Sequence, residues 1–165
     1  MTDRETVLAA FRFTLMYAEK LAADLADEEL AEQPHAGMNH AAWVLGHVAL
    51  GSDFIALLLG EPTVTGEAWM ATFGPGSTPV DDRAAYPSKD DLLATMRTTH
   101  ARAIKLLAAA TAEQLDLANG TPFFPVDFPT VGALITHLMT THAALHLGQL
   151  SAWRRAIGKG AVLGV

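Results

Sequence analysis

Residues 142–150 read HAALHLGQL, and this stretch indicates most directly how the chain folds. His142 and His146 are four positions apart, so on an α-helix their imidazoles lie on one face, one turn apart. The same face continues through Ile135, Met139, Gln149 and Trp153. The histidine pair therefore lies on a largely apolar stripe that is expected to face the interior of a helical bundle.

The composition extends this helical prediction to the whole chain. Half of the 165 residues are hydrophobic, and Ala and Leu dominate that half. Ala and Leu are strong helix formers, whereas the alternating Val- and Ile-rich runs typical of strands are almost absent. We predict one all-α domain over residues 1–165, a four-helix bundle. Its helices are expected at about Arg4–Asp27, His40–Leu59, Lys89–Ala110 and Thr130–Ile157.

Two connections interrupt this helical pattern. Residues Gly60–Ser88 are rich in Gly and Pro, and a connection of this length is typical of a lid, a binding loop or a long crossover. This connection lies between the second and third predicted helices. Residues Leu117–Pro129 form a shorter irregular segment with three phenylalanines. Asn39 and Ser88 are predicted N-caps of the second and third helices.

Charge and cysteine content exclude several classes of function. The net charge is −7, and the 11 basic residues are scattered, which argues against a nucleic-acid-binding surface. The chain has no cysteine, so disulfides, thiolate zinc sites and cysteine nucleophiles are excluded. The N-terminal sequence lacks the layout of a signal peptide, and we see no apolar run of the ~18–20 residues that span a bilayer. We therefore expect a cytoplasmic protein without membrane contact.

A third histidine is predicted to face inward from the second helix. His47 lies in an otherwise apolar segment, on the same face as Trp43 and Phe54. Gly46 and Gly51 lower helix stability, which makes sense where another group approaches the backbone closely. With His142 and His146, His47 would complete a three-histidine site for one divalent metal ion. Such a site keeps coordination positions open for water or substrate, as catalytic zinc sites do.

The histidines of the third and fourth helices also allow other interpretations. His142 and His146 could also be two independently hydrogen-bonded core histidines, or a pair at the rim of the bundle. His100 lies in the apolar stripe of helix three, either as a satisfied core histidine or as a pocket residue or fourth ligand. A fourth ligand would favour a closed, structural site. His137 is expected on another face of helix four, at the surface or rim. No glutamate follows His142, so the zinc-protease signature is missing.

Two segments together resemble a known family. Residues 39–47, NHAAWVLGH, and residues 142–150 look like the corresponding motifs of the DinB/YfiT-like superfamily. The resemblance implies a four-helix bundle with a long crossover, commonly a dimer. It also implies a divalent ion, zinc or nickel in many members, on histidines that correspond to His47, His142 and His146. Many members have Arg after the last of these histidines, where this chain has Leu147.

The resemblance also suggests what the ion does. Characterised members are S-transferases or isomerases that use bacillithiol, mycothiol or glutathione, and others have been proposed as hydrolases. We therefore expect a metal-bound thiol or water as the nucleophile, acting on a small-molecule substrate. The catalytic side chains themselves are not predicted. A non-catalytic, metal-stabilised ligand-binding module is the alternative from another class.

Several further residues are candidates for the surroundings of the ion. Gln149 and Gly51 are possible pocket residues, as is His100. Aromatic residues from the two connections are expected either to wall an apolar pocket or to anchor the loops to the core. These are Trp69, Phe73, Phe123, Phe124 and Phe128.

Overall fold

A computed structural model describes residues 3–163, and its regular secondary structure is helical, as expected for an all-α bundle. The α-helices, in chain order, are α1 (Arg4–Ala22), α2 (Ala41–Leu58), α3 (Glu67–Phe73), α4 (Lys89–Ala109), α5 (Ala112–Asp116), α6 (Val131–His137) and α7 (Ala143–Ala156). Short 3-10 turns cover Asp27–Ala31 and Arg83–Ala85, and a π-helical turn covers Leu138–His142. Within the described residues, β-pairing is limited to one isolated bridge between Ala118 and Thr130.

The four long helical units are α1, α2, α4 and the continuous unit from α6 through the π turn to α7. Helix α2 packs on α4 and α7, and α1 packs on the same two helices. This places α1 diagonally opposite α2, and α4 diagonally opposite α7. The predicted four-helix bundle with a long crossover before its third helix is confirmed. The arrangement makes α2 and α7 direct neighbours, which is the contact that builds the histidine site.

Helix α2 is the central helix of the bundle. Every residue from Ala41 to Leu50 is buried. With a mean hydropathy of 1.6, α2 is long and apolar enough to cross a membrane, contrary to our expectation that no segment reaches that limit. However, 78% of it is buried among the other helices, as is typical of the core helix of a bundle.

Two helix boundaries differ from the prediction. Helix α1 ends at Ala22, and the chain then forms the 3-10 turn Asp27–Ala31 instead of continuing the helix. The N-cap of α2 is His40, whose Nδ1 accepts a hydrogen bond from the Trp43 backbone N–H, and not Asn39. The predicted cap of α4 is confirmed, since the Ser88 hydroxyl accepts from the Asp91 backbone N–H.

The crossover between α2 and α4 is anchored to α2 at two points. Near the start of the crossover, Asp53 Oδ2 accepts hydrogen bonds from the backbone N–H groups of Val64 and Thr65 and from the Thr65 hydroxyl. Farther along, the indole N–H of Trp69 on α3 donates to the Gly46 carbonyl at 3.0 Å. The crossover is therefore packed onto α2, and its short helix α3 lies beside the histidine site.

The last helical unit contains the largest departure from the prediction. One regular helix was expected from Thr130 to Ile157, but a π-helical turn interrupts it at Leu138–His142. A π turn closes its hydrogen bonds over five residues rather than four, so residues five apart share a face. Consequently His137 and His142 lie side by side, with ring centroids 5.8 Å apart.

Candidate metal centre

Three imidazoles converge between α2 and α7. His47 Nε2 lies 3.0 Å from His142 Nε2, and the ring centroids of His47 and His146 are 4.4 Å apart. The centroids of His142 and His146 are 4.6 Å apart. One nitrogen from each ring lies within 4.8 Å of the other two. The three predicted ligand residues are thus brought together, across 95 positions of sequence for His47 and His142.

The crossover orients the imidazole of His47. Its Nδ1 lies 2.6 Å from the carbonyl oxygen of Phe73, at the end of α3. A carbonyl can only accept, so the Nδ1–H donates and Nε2 keeps its lone pair. The indole of Trp43 stacks on the same ring, with centroids 4.5 Å apart and planes 11° apart. His47 is therefore fixed in the tautomer and orientation that a metal ligand needs.

Two linked side-chain hydrogen bonds orient the imidazole of His146. Its Nδ1 lies 2.9 Å from Gln149 Oε1, which also accepts from the Asn39 side-chain amide at 3.1 Å. The Nδ1–H of His146 thus donates to Gln149 and leaves Nε2 free toward the cluster. Asn39, which we predicted as a helix cap, instead orients Gln149. Gln149 supports a ring of the cluster and is absent from the group of converging nitrogens.

Burial keeps these imidazoles neutral. Burial, together with the neighbouring His146 and His47, lowers the pKa of His142 to about 3. The pKa of His146 falls to about 4, again mainly through burial. Burial also lowers the pKa of His47, against the opposing effect of its bond to the Phe73 carbonyl. Neutral imidazoles are the form that binds metal ions, so protons do not compete for them near neutral pH.

The two glycines of α2 make room for ring systems. A Cβ on Gly51 would lie 2.9 Å from His142 Cε1, and a Cβ on Gly46 would lie 2.3 Å from the ring of Phe73. Only a residue without a side chain allows either approach. Gly51 therefore lets α7 bring His142 against α2, and Gly46 lets α3 place the Phe73 carbonyl at His47.

His100 lies away from the cluster. Its ring is completely buried, stacks on Phe11 at 4.2 Å, and its Nδ1 contacts the Met96 carbonyl and the Ser52 hydroxyl. Helix α4 is diagonal to α7, so His100 faces α1 and α2 instead of His142. His100 lies in the core, outside the converging group of nitrogens and outside the cavity lining, and among the described residues its buried Nε2 has no hydrogen-bond partner.

The three histidines lie at the wall of a cavity of about 360 Å³. Its other lining residues are Trp43, Leu50, Gly51, Phe54, Met70, Pro75, Phe123, Phe124, Leu134, His137 and Leu138. Phe123 and Phe124 thus line the pocket, as one of our alternatives predicted. Phe73 is buried against Gly46, and the indole N–H of Trp69 donates to the Gly46 carbonyl. Phe73 and Trp69 therefore anchor the crossover to α2 and do not line the cavity.

The donor set fits a divalent cation. Two Nε2 lone pairs, of His47 and His146, are fixed by outer hydrogen bonds and meet the ring of His142. Unprotonated lone pairs in close approach repel one another unless a cation or proton lies between them. Three imidazoles suit zinc, nickel, copper or iron, and three protein ligands leave positions open toward the cavity.

Several residues around this site were missed from the sequence. The Phe73 carbonyl comes from the crossover and carries no side-chain signal, although Gly46 did indicate a close approach. His137 lines the cavity because of the π turn, which a regular helical period does not reveal. Asn119, in the segment that we predicted only to be irregular, holds the aromatic loop by donating to the carbonyls of Phe123 and Phe128.

These features define a class of protein: a four-helix bundle with three histidines converging between two neighbouring helices, beside an apolar cavity. Residues 10–150 match the family model of the DinB superfamily, and the chain belongs to that superfamily. Its fold is similar to the crystal structure of "the conserved protein of locus from Enterococcus faecalis". That likeness has a TM-score of 0.77 at 20% identity, covering 96% of this chain and 99% of the other. No protein with curated annotation matches the sequence significantly.

Proposed function

We propose that this protein is a metal-dependent enzyme that uses a low-molecular-weight thiol to attack a small electrophile. The observation that carries the proposal is the convergence of His47, His142 and His146 beside an open cavity. A divalent ion held there, zinc or nickel, would lower the pKa of a bound thiol or water and so supply a nucleophile near neutral pH. The family resemblance favours the thiol.

The protein's own groups have distinct tasks in this scheme. The Phe73 carbonyl and Gln149 orient the rings of His47 and His146, so that their Nε2 atoms hold the ion. Trp43 shields one face of His47 from water by stacking on it. The aromatic wall of the cavity holds the electrophile near the open side of the three histidines. No side chain of this set is assigned a proton-transfer step.

A specific observation favours hydrolysis as a second candidate. Among the described residues that line the cavity, none carries a formal charge when its histidines are neutral. Bacillithiol, mycothiol and glutathione are polar or charged molecules, and an apolar wall offers them no counter-ion. Leu147, where many relatives have Arg, is completely buried in the core. Water needs no such contact, so a hydrolase remains a defined alternative for the same site.

The first experiment tests the metal. Protein produced without a histidine tag is expected to contain about one divalent ion per chain, measured by elemental analysis. His142→Ala is expected to lose it, whereas His35→Ala, which removes an exposed histidine, is expected to keep it. Equal and near-zero metal in all three proteins would contradict the metal site.

The second experiment separates the two reactions. Metal-loaded protein is offered a reactive electrophile with bacillithiol, mycothiol or glutathione, and in parallel an ester or amide without thiol. Conjugate formation that requires both the thiol and His142 supports the S-transferase. Turnover of the ester or amide alone supports the hydrolase. Metal binding with no turnover in any assay would support the non-catalytic ligand-binding module.

The family resemblance also supports two proposals about the protein's state. We propose a homodimer that acts in the cytoplasm, without a nucleic-acid or membrane partner. The acidic net charge of −7 and the complete absence of cysteine agree with this. Sedimentation analysis at several concentrations tests the dimer, and a monomer at all of them would contradict it.

A further inference from the structure

We propose that the cavity binds an uncharged, mainly aromatic small molecule and that His137 holds the single polar group of this ligand. The inference rests on the proposed function in one respect, since this ligand would be the electrophilic substrate. The ligand class itself follows from the cavity walls. It can be tested by binding alone, without turnover.

The walls exclude a charged ligand body. Apart from the four histidines, the lining side chains are aliphatic, aromatic or thioether groups. The one other polar group among them, the indole N–H of Trp43, already donates to the Ser77 hydroxyl at 2.9 Å. Transferring a charged group into such surroundings without a partner is costly. An apolar, flat molecule instead replaces water against the rings of Phe54, Phe123 and Phe124.

His137 is the exception among the walls. The other three lining histidines turn their ring nitrogens toward one another, with or without an ion between them, which leaves His137 as the polar side chain that can meet a ligand. Its Nδ1 contacts the Thr141 hydroxyl at 2.6 Å, and Phe128 stacks on its ring at 4.3 Å with planes 19° apart. Within residues 3–163, its Nε2 makes no hydrogen bond. The ring is therefore held from two sides with one nitrogen left for a ligand.

The π turn explains why His137 occupies this position. In a regular α-helix, a residue five positions before His142 points away from it. The turn at Leu138–His142 brings both rings to the cavity side. Single π turns inside α-helices occur frequently at functional sites. His137 is half-buried, and burial lowers its pKa, so its imidazole is neutral near pH 7 and does not add a charge to the cavity.

The loop that packs beside His137 is also built in advance, since Phe124 and Phe128 both contact the His137 ring. Asn119 fixes the loop by donating to the carbonyls of Phe123 and Phe128, and its Oδ1 accepts from the backbone and hydroxyl of Thr121. Phe124 has φ of 49°, a left-handed conformation that a bulky residue rarely adopts. Such strain persists where the surroundings enforce it, often at ligand sites. A preformed wall reduces the entropy cost of binding.

One ring system with three substituents tests the ligand class. Naphthalene, 2-naphthol and 2-naphthalenesulfonate share a skeleton and differ in carrying nothing, a hydroxyl or a charge. In equilibrium dialysis, we expect 2-naphthol to bind at least as tightly as naphthalene, and the sulfonate about tenfold more weakly or worse. The order is expected to be the same in His142→Ala, because the walls impose it. Sulfonate binding as tight as that of naphthalene in either protein would overturn the proposal.

Variants of His137 test the polar contact. His137→Phe keeps a ring against Phe128 and is expected to lower 2-naphthol affinity about fivefold while changing naphthalene affinity less than about twofold. His137→Gln, which retains a donor and an acceptor, is expected to restore part of the 2-naphthol preference. Equal loss for both ligands in His137→Phe would mean that His137 only shapes the wall, and the proposed contact would be wrong.

A matched pair of lysine variants locates the binding to this cavity. Met70 lines the cavity and is 47% exposed, while Leu117 is 58% exposed and lies outside it. Met70→Lys adds a cation at the cavity and is expected to raise sulfonate affinity relative to naphthalene at least about threefold. Leu117→Lys is expected to leave the ratio unchanged. An identical ratio in both variants would place the binding elsewhere and contradict the inference.

These outcomes are independent of the metal and of turnover. A protein without metal or conjugating activity that still shows the expected ligand order would contradict the proposed function and support the ligand class. A metal-loaded, active enzyme that binds none of the three compounds would support the proposed function and contradict the ligand class.

Discussion

The Nε2 atoms of His47 and His142 lie 3.0 Å apart, although 95 positions separate the two residues in the chain. The Phe73 carbonyl fixes the proton of His47 on Nδ1, so the Nε2 of His47 approaches His142 as a lone pair. Gly51 allows this approach because its missing side chain leaves space for the His142 ring. The contact between α2 and α7 is therefore arranged around converging imidazole nitrogens that could hold one metal ion.

A divalent ion is expected to stabilise the folded protein by bridging α2 and α7. Because the unfolded chain has no preformed site, zinc should add about 2.7 kcal/mol to the free energy of unfolding at about 100 times its Kd. Differential scanning fluorimetry should show a rise in Tm for the wild type and for His35→Ala. His146→Ala should show no rise, and a rise equal to that of the wild type would place the ion elsewhere.

The Gln149 side chain is expected to tune metal affinity from outside the cluster. Its Oε1 accepts from His146 Nδ1, and removing such a partner typically weakens metal binding about 10- to 100-fold. Competition with a chelator of known affinity should show this loss for Gln149→Leu. Gln114→Leu, at an exposed position on α5, serves as the control. Unchanged affinity in Gln149→Leu would show that this contact does not orient His146.

Two glycine-to-alanine substitutions are expected to differ in effect, one lowering metal affinity and the other raising the stability of the fold. In Gly51→Ala, the new Cβ would lie 2.9 Å from His142 Cε1, so the ring must shift and metal affinity should fall about tenfold. In Gly148→Ala, the Cβ meets no atom within 4 Å, and the exposed helix should gain up to about 1 kcal/mol of stability. Chelator competition and urea unfolding measure the two quantities. Normal affinity in Gly51→Ala would contradict the close approach.

His100 is expected to make the protein less stable at acid pH. Burial lowers its pKa from 6.5 to about 4 in the folded state, whereas the unfolded chain retains the ordinary value. Between these pH values the unfolded state binds more protons, so stability falls as pH falls from 6.5 to 4, by at most about 3 kcal/mol. Urea unfolding at several pH values should show a shallower dependence for His100→Phe. An identical pH dependence would mean that His100 does not titrate this way.

Asp53 is expected to hold the crossover in place. Its carboxylate is 1% exposed, accepts three hydrogen bonds from Val64 and Thr65, and lies 3.4 Å from Arg102. Asp53→Ala leaves these donors without their buried partner and should cost about 3 kcal/mol or more. Asp127→Ala, at an exposed loop position, should cost little. Urea unfolding of both variants checks this, and equal stability would show that the crossover is held by other contacts.

Much of the architecture could be predicted from local sequence patterns. The i, i+4 spacing of His142 and His146 and the apolar segment around His47 depend only on the period of the α-helix. The glycines at 46 and 51 indicated close approaches, and the structure shows rings at both. The cap of α4 at Ser88 also follows from a local hydrogen bond. These features need no knowledge of which helices are neighbours.

Other features depend on the tertiary structure. His100 carries the same inward signal as His47, but α4 lies diagonally across from α7 and keeps it from the cluster. The membrane-like hydropathy of α2 agrees with its central and mostly buried place in the bundle. The Phe73 carbonyl reaches His47 only because the crossover folds back onto α2. Backbone carbonyls carry no residue-specific signal, so no sequence pattern could have indicated this bond.

The sequence by itself thus indicated the four long helical units and the inward faces that carry histidines, because backbone geometry repeats every few residues. Only the tertiary structure decided which helices meet, and therefore which histidines share a site. It also showed the π turn that brings His137 to the cavity, at the point where the last helical unit packs against α1 and α2. Those choices come from packing over the whole chain, which local periodicity does not encode.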